Sequence, residues 1–293
     1  SENETAVTVD TAEEPEMEAD EEAQPEEAGE TVEEADAADI EADMLETEDT
    51  EVENGKEGYL SYCIYQKPDE TKYVEITECD YDTKGAVEIP TKIKNIAVTS
   101  IGNGAFNERT KLTSIEIPSS VTSIGRSAFS DCSGLTRIEI PVGVTEIGSF
   151  AFDDCSGLTS IKIPSSVTSI GDGAFYGCSR LTSIVVEAGN TVYDSRDNCN
   201  AIIEKETNTL IQGCKNTKIP AGVTSIGEYA FSGCSGLTSI EIPAGVTSIG
   251  SEAFSDCSGL TSIVVEAGNT VYDSRDNCNA IIEKETNTLI QGC

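Results

Sequence analysis

The chain has 293 residues, with 54 acidic against 18 basic side chains, a formal net charge of −36, and neither His nor Trp. Without His, the commonest general base and metal ligand is missing, and Ser–His and Cys–His nucleophile pairs are excluded. The negative field argues against nucleic acid or anionic lipid as partners, and no apolar run approaches a membrane span, so no membrane insertion is expected.

The charge is uneven. Residues 1–57 hold 25 Asp and Glu against Lys56 alone, with no aromatic residue. Such a segment cannot bury enough apolar area to offset its chain entropy, and 1–57 reads as an acidic disordered leader. Its role is either a solvated linker or a tail for cations or a basic partner. Residues 58–98 read as an N-terminal hairpin cap and the start of a first repeat. YLSYCIY (Tyr59 to Tyr65) and KYVEITEC (Lys72 to Cys79) are rich in β-branched and aromatic residues, and QKPDET between them supplies the turn.

Residues 99–293 are dominated by a 23-residue refrain. It reads IEIPSSVTSIGRSAFSDCSGLTR from Ile115 and IEIPVGVTEIGSFAFDDCSGLTS from Ile138. It returns as IKIPSSVTSIGDGAFYGCSRLTS from Ile161 and IEIPAGVTSIGSEAFSDCSGLTS from Ile240. A fixed period of this length specifies a solenoid, whose coils bury apolar residues against their neighbours. In each coil IxI is a short strand, ended by Pro118, Pro141, Pro164, Pro220 or Pro243. VTSI is a second strand, followed by a corner at Gly125, Gly148, Gly171, Gly227 or Gly250. The xxAF segment predicts about one turn of helix or 3-10 helix, dropping Phe106, Phe129, Phe152, Phe175, Phe231 and Phe254 into the core.

Eleven cysteines suggest a disulfide scaffold until their positions are read. Cys132, Cys155, Cys178, Cys234 and Cys257 share one register, which predicts a ladder of reduced, buried thiols spaced by the coil rise of roughly 4.8 Å. Disulfides between coils are the alternative, but in-register Cβ vectors suit them poorly. No CxxC zinc spacing exists, so no metal or other cofactor is expected.

The rhythm breaks between Phe175 and Phe231. There AIIE and TLIQ flank KETN, predicting a hairpin insertion at about 187–217. The pairing places Cys199 opposite Cys214, as a cross-strand disulfide or as a packed pair of thiols. The run YDSRDNCN lacks EF-hand spacing and reads as ordinary turn formers. Residues 181–214 recur unchanged at 260–293, which puts a second insertion at 266–293. The stop at Cys293, inside that module, reads as truncation of a longer array, and no secretion signal is visible at Ser1.

The repeat IPxxVTSIGxxAFxxCSGLTS resembles the BspA-like class of leucine-rich repeats, and the insertion YDSRDNCNAII…TNTLIQGCKNT resembles a hairpin module that interrupts such arrays. The resemblance covers roughly residues 86–293. It implies a β-rich leucine-rich repeat solenoid, a right-handed superhelix with one helical or 3-10 turn per coil. It also implies an extracellular or cell-surface protein, of a class found in bacteria and parasitic protists and associated with attachment to host matrix, host cells or other bacteria.

In such a solenoid the outward positions of LTxIxI form a strip: Ser114 and Glu116, Arg137 and Glu139, Ser160 and Lys162, Ser183 and Val185, Ser239 and Glu241, Ser262 and Val264. Glu116, Arg137, Glu139, Lys162 and Glu241 are its binding candidates. The hairpins add Tyr193, Arg196, Tyr272 and Arg275 as projecting groups, since loops on a rigid scaffold often carry binding, although tyrosines beside a hairpin are more often staples than anchors. The strip lacks the Tyr, Trp and Arg cluster of an interaction hot spot, so a plain solvated sheet face is the competing reading. The expected function is non-catalytic binding of a protein or glycan. The alternative is a structural spacer for a domain beyond Cys293.

Overall fold

The structure is a computed structural model and describes residues 48–293. Most of the leader therefore lies outside the described residues. Three strands form the cap: β1 (Thr50–Glu57), β2 (Leu60–Gln66) and β3 (Lys72–Cys79). The first coils contain β4 (Gly85–Glu88), β5 (Lys92–Ile93), β6 (Ile96–Ile101), β7 (Leu112–Glu116) and β8 (Ser123–Ile124). Next come β9 (Arg137–Ile138), β10 (Glu146–Ile147), β11 (Ser160–Ile163), β12 (Ser169–Ile170) and β13 (Ser183–Val186). The first insertion supplies β14 (Tyr193–Asp194), β15 (Ile202–Glu204) and β16 (Thr209–Gln212). Then follow β17 (Ser225–Ile226), β18 (Ser239–Ile242), β19 (Ser248–Ile249) and β20 (Ser262–Val265). The second insertion supplies β21 (Tyr272–Asp273), β22 (Ala280–Glu283) and β23 (Thr288–Gly292).

Residues 50–57 correct the expectation of a disordered leader running to 57. They form β1, antiparallel to β2, with Thr50 opposite Gln66 and Glu57 opposite Leu60. The strand TEVENGKE carries no buried side chain, so no apolar alternation marks it in the sequence. Its backbone ladder holds it, helped at the edge by a 2.6 Å Lys56–Asp80 ion pair and by Lys94 on Glu53. The hairpin β2–β3 buries Leu60, Tyr62, Ile64, Val74 and Ile76. Because β3 also pairs in parallel with β6, the cap is one more rung of the solenoid ladder.

Beyond the cap the strands stack in parallel on two faces of the solenoid. The VTSI strands continue the cap strand β3 in the ladder β3-β6-β8-β10-β12, and the IxI strands give β4-β7-β9 and β11-β13. Alternation puts Ile115, Ile117, Ile138, Ile140, Ile161 and Ile163 inside. At the third corner the chain is not helical, contrary to the expected helical or 3-10 turn. Every second amide bonds within the turn, as Ala128 does to Gly125 O, while the one between bonds to the next coil, as Phe106 does to Ala128 O at 2.7 Å. The position before Ala-Phe is left-handed, with Ser127 at φ 52°, Phe150 at 58°, Gly173 at 61° and Tyr229 at 56°. That residue interrupts each incipient turn, and its own amide bonds the neighbouring coil, as Ser127 does to Ser149 O at 3.0 Å.

Inside the corner Phe106, Phe129, Phe152 and Phe175 stack with centroids 5.2–5.3 Å apart, and Phe231 stacks on Phe254 at 5.1 Å. The cysteine ladder is present and reduced. Four of the five thiols donate to the Phe carbonyl of the preceding coil, Cys132 to Phe106 at 3.0 Å, Cys155 to Phe129 at 3.1 Å, Cys178 to Phe152 at 3.2 Å and Cys257 to Phe231 at 3.1 Å, while Cys234, which follows the insertion, faces Gly213 O at 3.9 Å. Burial pushes the Cys132 thiol up to about 12 and Cys257 to about 11, so these sulfurs act as small hydrophobes rather than nucleophiles. Cys199 and Cys214 are likewise free and buried, but they fall in different core clusters, so neither the disulfide nor the packed pair of thiols is formed.

The first insertion is a wedge. Its strand β16 pairs antiparallel with β15 and in parallel with β17, taking the place of a VTSI strand. No strand pairs with the outer edge of β12. At the Phe corner the two flanking coils touch directly, Gly177 donating to Ser232 O, and a Cβ on Gly233 would sit 2.5 Å from Gly177 Cα. The wedge divides the core into two clusters. One runs from the cap to Val186 with Tyr193, Ile202 and Cys214; the other runs from Cys199 and Ala201 to Ile281.

Candidate functional site

The IxI ladder carries one broad cleft, of about 790 Å³, on its outward side. Strand alternation builds it: Ile115, Ile138 and Ile140 point inward into the core while Glu88, Glu116, Arg137, Glu139 and Lys162 point out, with the exposed Val142 beside them. Glu88 stands opposite Glu116 in the β4–β7 pairing. The β7–β9 register, with Ile115 opposite Ile138, carries Glu139 into the same line. Three carboxylates thus stack on successive coils, an arrangement that like-charge repulsion disfavours within a sheet. Lys162 lies 2.5 Å from Glu187, whose carboxylate also accepts from the Ser165 amide at 3.1 Å. That bond holds the Lys162 pKa up and the Glu187 pKa down. Arg137 forms no ion pair among the described residues. The cleft therefore presents three in-line carboxylates, one guanidinium without an ion pair among the described residues, one neutralised lysine and the exposed Val142.

Four of the five strip candidates, Glu116, Arg137, Glu139 and Lys162, meet in this cleft. Glu241 does not: it lies on β18, which pairs only with β20 beyond the wedge. Two lining residues were missed. Glu88 sits in AVEIP, a degenerate copy of IEIP whose alignment with the repeats was enough to place it. Glu187 follows β13 and curls back to Lys162, a contact no register argument anticipates.

The hairpin residues do not project as expected. Tyr193 and Tyr272 are buried. The Tyr193 hydroxyl accepts from the Ile170 amide at 3.1 Å, closing part of the exposed edge of β12, and burial pushes its pKa up. Each is seated by a buried asparagine. Asn190 donates to Pro164 O and Val167 O at 2.9 Å and accepts from the Val192 and Tyr193 amides, and Asn269 repeats this around Tyr272. The two arginines brace their own loops. Arg196 bonds Asp194 and Asn208, and Arg275 bonds Asp273 and Asn287, each at 2.8–2.9 Å. The Asp-rich run is thus a set of turns, with Asp197 at φ 58° and Asp276 at 57°.

Comparison with known proteins decides the family. The BspA-type leucine-rich repeat model matches six copies over residues 99–211 and 201–288. The chain belongs to that family. Among solved structures it is similar to a leucine-rich repeat protein of T. pallidum, at 25% identity over 71% of this chain and 91% of that one, with a TM-score of 0.44. It is also similar to a leucine-rich cell surface protein of Faecalibacterium prausnitzii, at 25% identity over 73% and 76%, TM-score 0.37. The pneumococcal vaccine antigen PcpA matches at 22% identity over 73% and 70%, TM-score 0.46. No curated protein matches the chain.

Proposed function

We propose that this BspA-type solenoid is a non-catalytic, cell-surface binding protein. Its β4–β7–β9 cleft takes a protein ligand that presents Lys or Arg side chains. The observation that carries this reading is the in-line stack of Glu88, Glu116 and Glu139 beside the unpaired Arg137. Within the sheet the stack is unfavourable, and a cationic ligand relieves it. Arg137 supplies a planar donor for a backbone or side-chain carbonyl beside it. Val142, exposed in the cleft wall, gives an apolar surface against which the stems of Lys and Arg pack. The family membership supports a surface location, and no helix among the described residues is long and apolar enough to cross a membrane.

The test is retention of the chain on an array of purified extracellular proteins and glycans. The expected result is retention on proteins with exposed basic segments, weaker at high salt, and reduced at least about tenfold by joint Glu88→Gln, Glu116→Gln and Glu139→Gln substitution. Retention unchanged in that variant removes the cleft from consideration.

A further inference from the structure

The first wedge leaves backbone groups unpaired around a partly open cavity. In the regular coils each corner glycine donates to the Ile carbonyl one coil earlier: Gly125 to Ile101, Gly148 to Ile124 and Gly171 to Ile147, all at 2.8 Å. The Ile170 carbonyl has no such donor, because Gly227 donates to Leu210 of β16. The Phe corner repeats the defect. Gly104, Ser127, Phe150 and Tyr229 donate to the following coil, as do Phe106, Phe129, Phe152 and Phe231. Gly173 and Phe175 hold the same two positions, yet among the described residues their amides reach no protein acceptor. The Ala230 carbonyl, in register to receive Phe175, instead accepts from Gly213 at 2.7 Å.

These groups surround a cavity of about 290 Å³, lined by Ile170, Gly173, Phe175 and Gln212 among others. Gln212 is only 3% exposed. Its Nε2 donates to Gly213 O at 2.9 Å, and its Oε1 receives no hydrogen bond from the described residues. Buried backbone groups are almost always paired. Two free donors and two free acceptors around one space are therefore the complement of something that enters it.

We propose that this cavity binds a small ligand bearing a secondary amide. The gap is one missing rung of a peptide ladder, and what fills such a rung is a C=O beside an N–H. The ligand carbonyl accepts from the Gly173 or the Phe175 amide, and its N–H donates to Ile170 O or Gln212 Oε1. Phe175 and Ile170 supply apolar contact for the flanking methyl or methylene. The volume lies at the lower end of small-molecule sites, about 300 Å³, so the ligand is an amide with small substituents. Glu204 and Glu228 in the wall repel free carboxylates. The site is separate from the cleft on β4, β7 and β9 and does not depend on it.

The experiment is an amide-resolved NMR titration of the ¹⁵N-labelled chain with N-acetylalanine N-methylamide and, separately, N-acetylglucosamine. Glucose and acetate are the controls. The expected result is a saturable shift of the Gly173 and Phe175 amides with at least one acetamide probe and none with the controls. Which probe binds tells whether the amide comes from a peptide or a sugar. Gln212→Leu, which keeps the bulk and removes the acceptor, weakens that binding about tenfold. The absence of a saturable shift at both amides with both probes, equal shifts with glucose or acetate, or unaltered affinity in Gln212→Leu would each overturn the proposal.

Discussion

Residues 181–214 and 260–293 are the same 34 residues folded into the same strands, yet they are not equally buried. On one side the copies agree: Asn190 and Asn269, Tyr193 and Tyr272, and Ile202 and Ile281 are all buried. On the other they part. Leu210 is fully buried and Leu289 is 62% exposed; Cys199 and Cys214 are buried while Cys278 and Cys293 are exposed. The difference is the coil KIPAGVTSIG, whose strand β17 covers β16 of the first copy. In a solenoid a residue's environment comes half from its own coil and half from the neighbour, so identical sequence gives identical burial only on the side that faces back.

Substitutions can break this comparison. The largest effect is expected at Phe152, stacked between Phe129 and Phe175. Phe152→Ala costs about 3–5 kcal/mol and broadens or splits thermal unfolding, because it cuts a continuous stack; an unchanged melt contradicts the core assignment. Next is a matched pair. Leu210→Ala costs about 2–4 kcal/mol, whereas Leu289→Ala, the same residue in the same strand, costs under about 0.5 kcal/mol. Equal losses in urea titrations would show that the following coil does not set the burial.

A smaller effect involves charge. Asp153 keeps Oδ1 buried without a partner, while its other oxygen accepts from Ser130 Oγ at 3.2 Å. Burial, and then the neighbouring Asp154, push its carboxyl up to about 6 from the ordinary 3.8. A raised carboxyl pKa means that the fold prefers the protonated form. The Asp153 contribution is thus most favourable below about pH 4 and is lost as pH rises through about 6. With its partial exposure discounted, Asp153→Asn stabilises the chain by about 1 kcal/mol at pH 7 and by nothing measurable at pH 4. A variant that gains nothing at pH 7 removes this account of the carboxyl.

These contrasts also explain which features the sequence made legible. The Phe stack and the thiol ladder were readable because one side chain recurs at one register, and in-register repetition means stacking. Strand β1 was not readable, since an edge strand exposed on both faces carries no apolar alternation. The Phe corner was misread as helical because AF looks the same in a helix and in a turn closed by a left-handed residue. At the cleft, Glu116, Arg137, Glu139 and Lys162 followed from alternation alone. Tyr193 and Tyr272 are staples rather than projecting groups, a choice the sequence left open because aromatic residues beside a hairpin give no sign of inward or outward direction. Their inward turn is set by Asn190 and Asn269, whose side chains bond across coils.

The most direct test of coil-by-neighbour burial is alkylation of the native chain with iodoacetamide, read by mass spectrometry after trypsin digestion. The two copies separate cleanly at their ends: Cys214 lies in ETNTLIQGCK and Cys293 in ETNTLIQGC. The expected result is labelling of Cys293 on the order of a hundredfold faster than Cys214, because Cys214 must wait for its covering coil to open locally. Equal rates at the two cysteines would contradict the account.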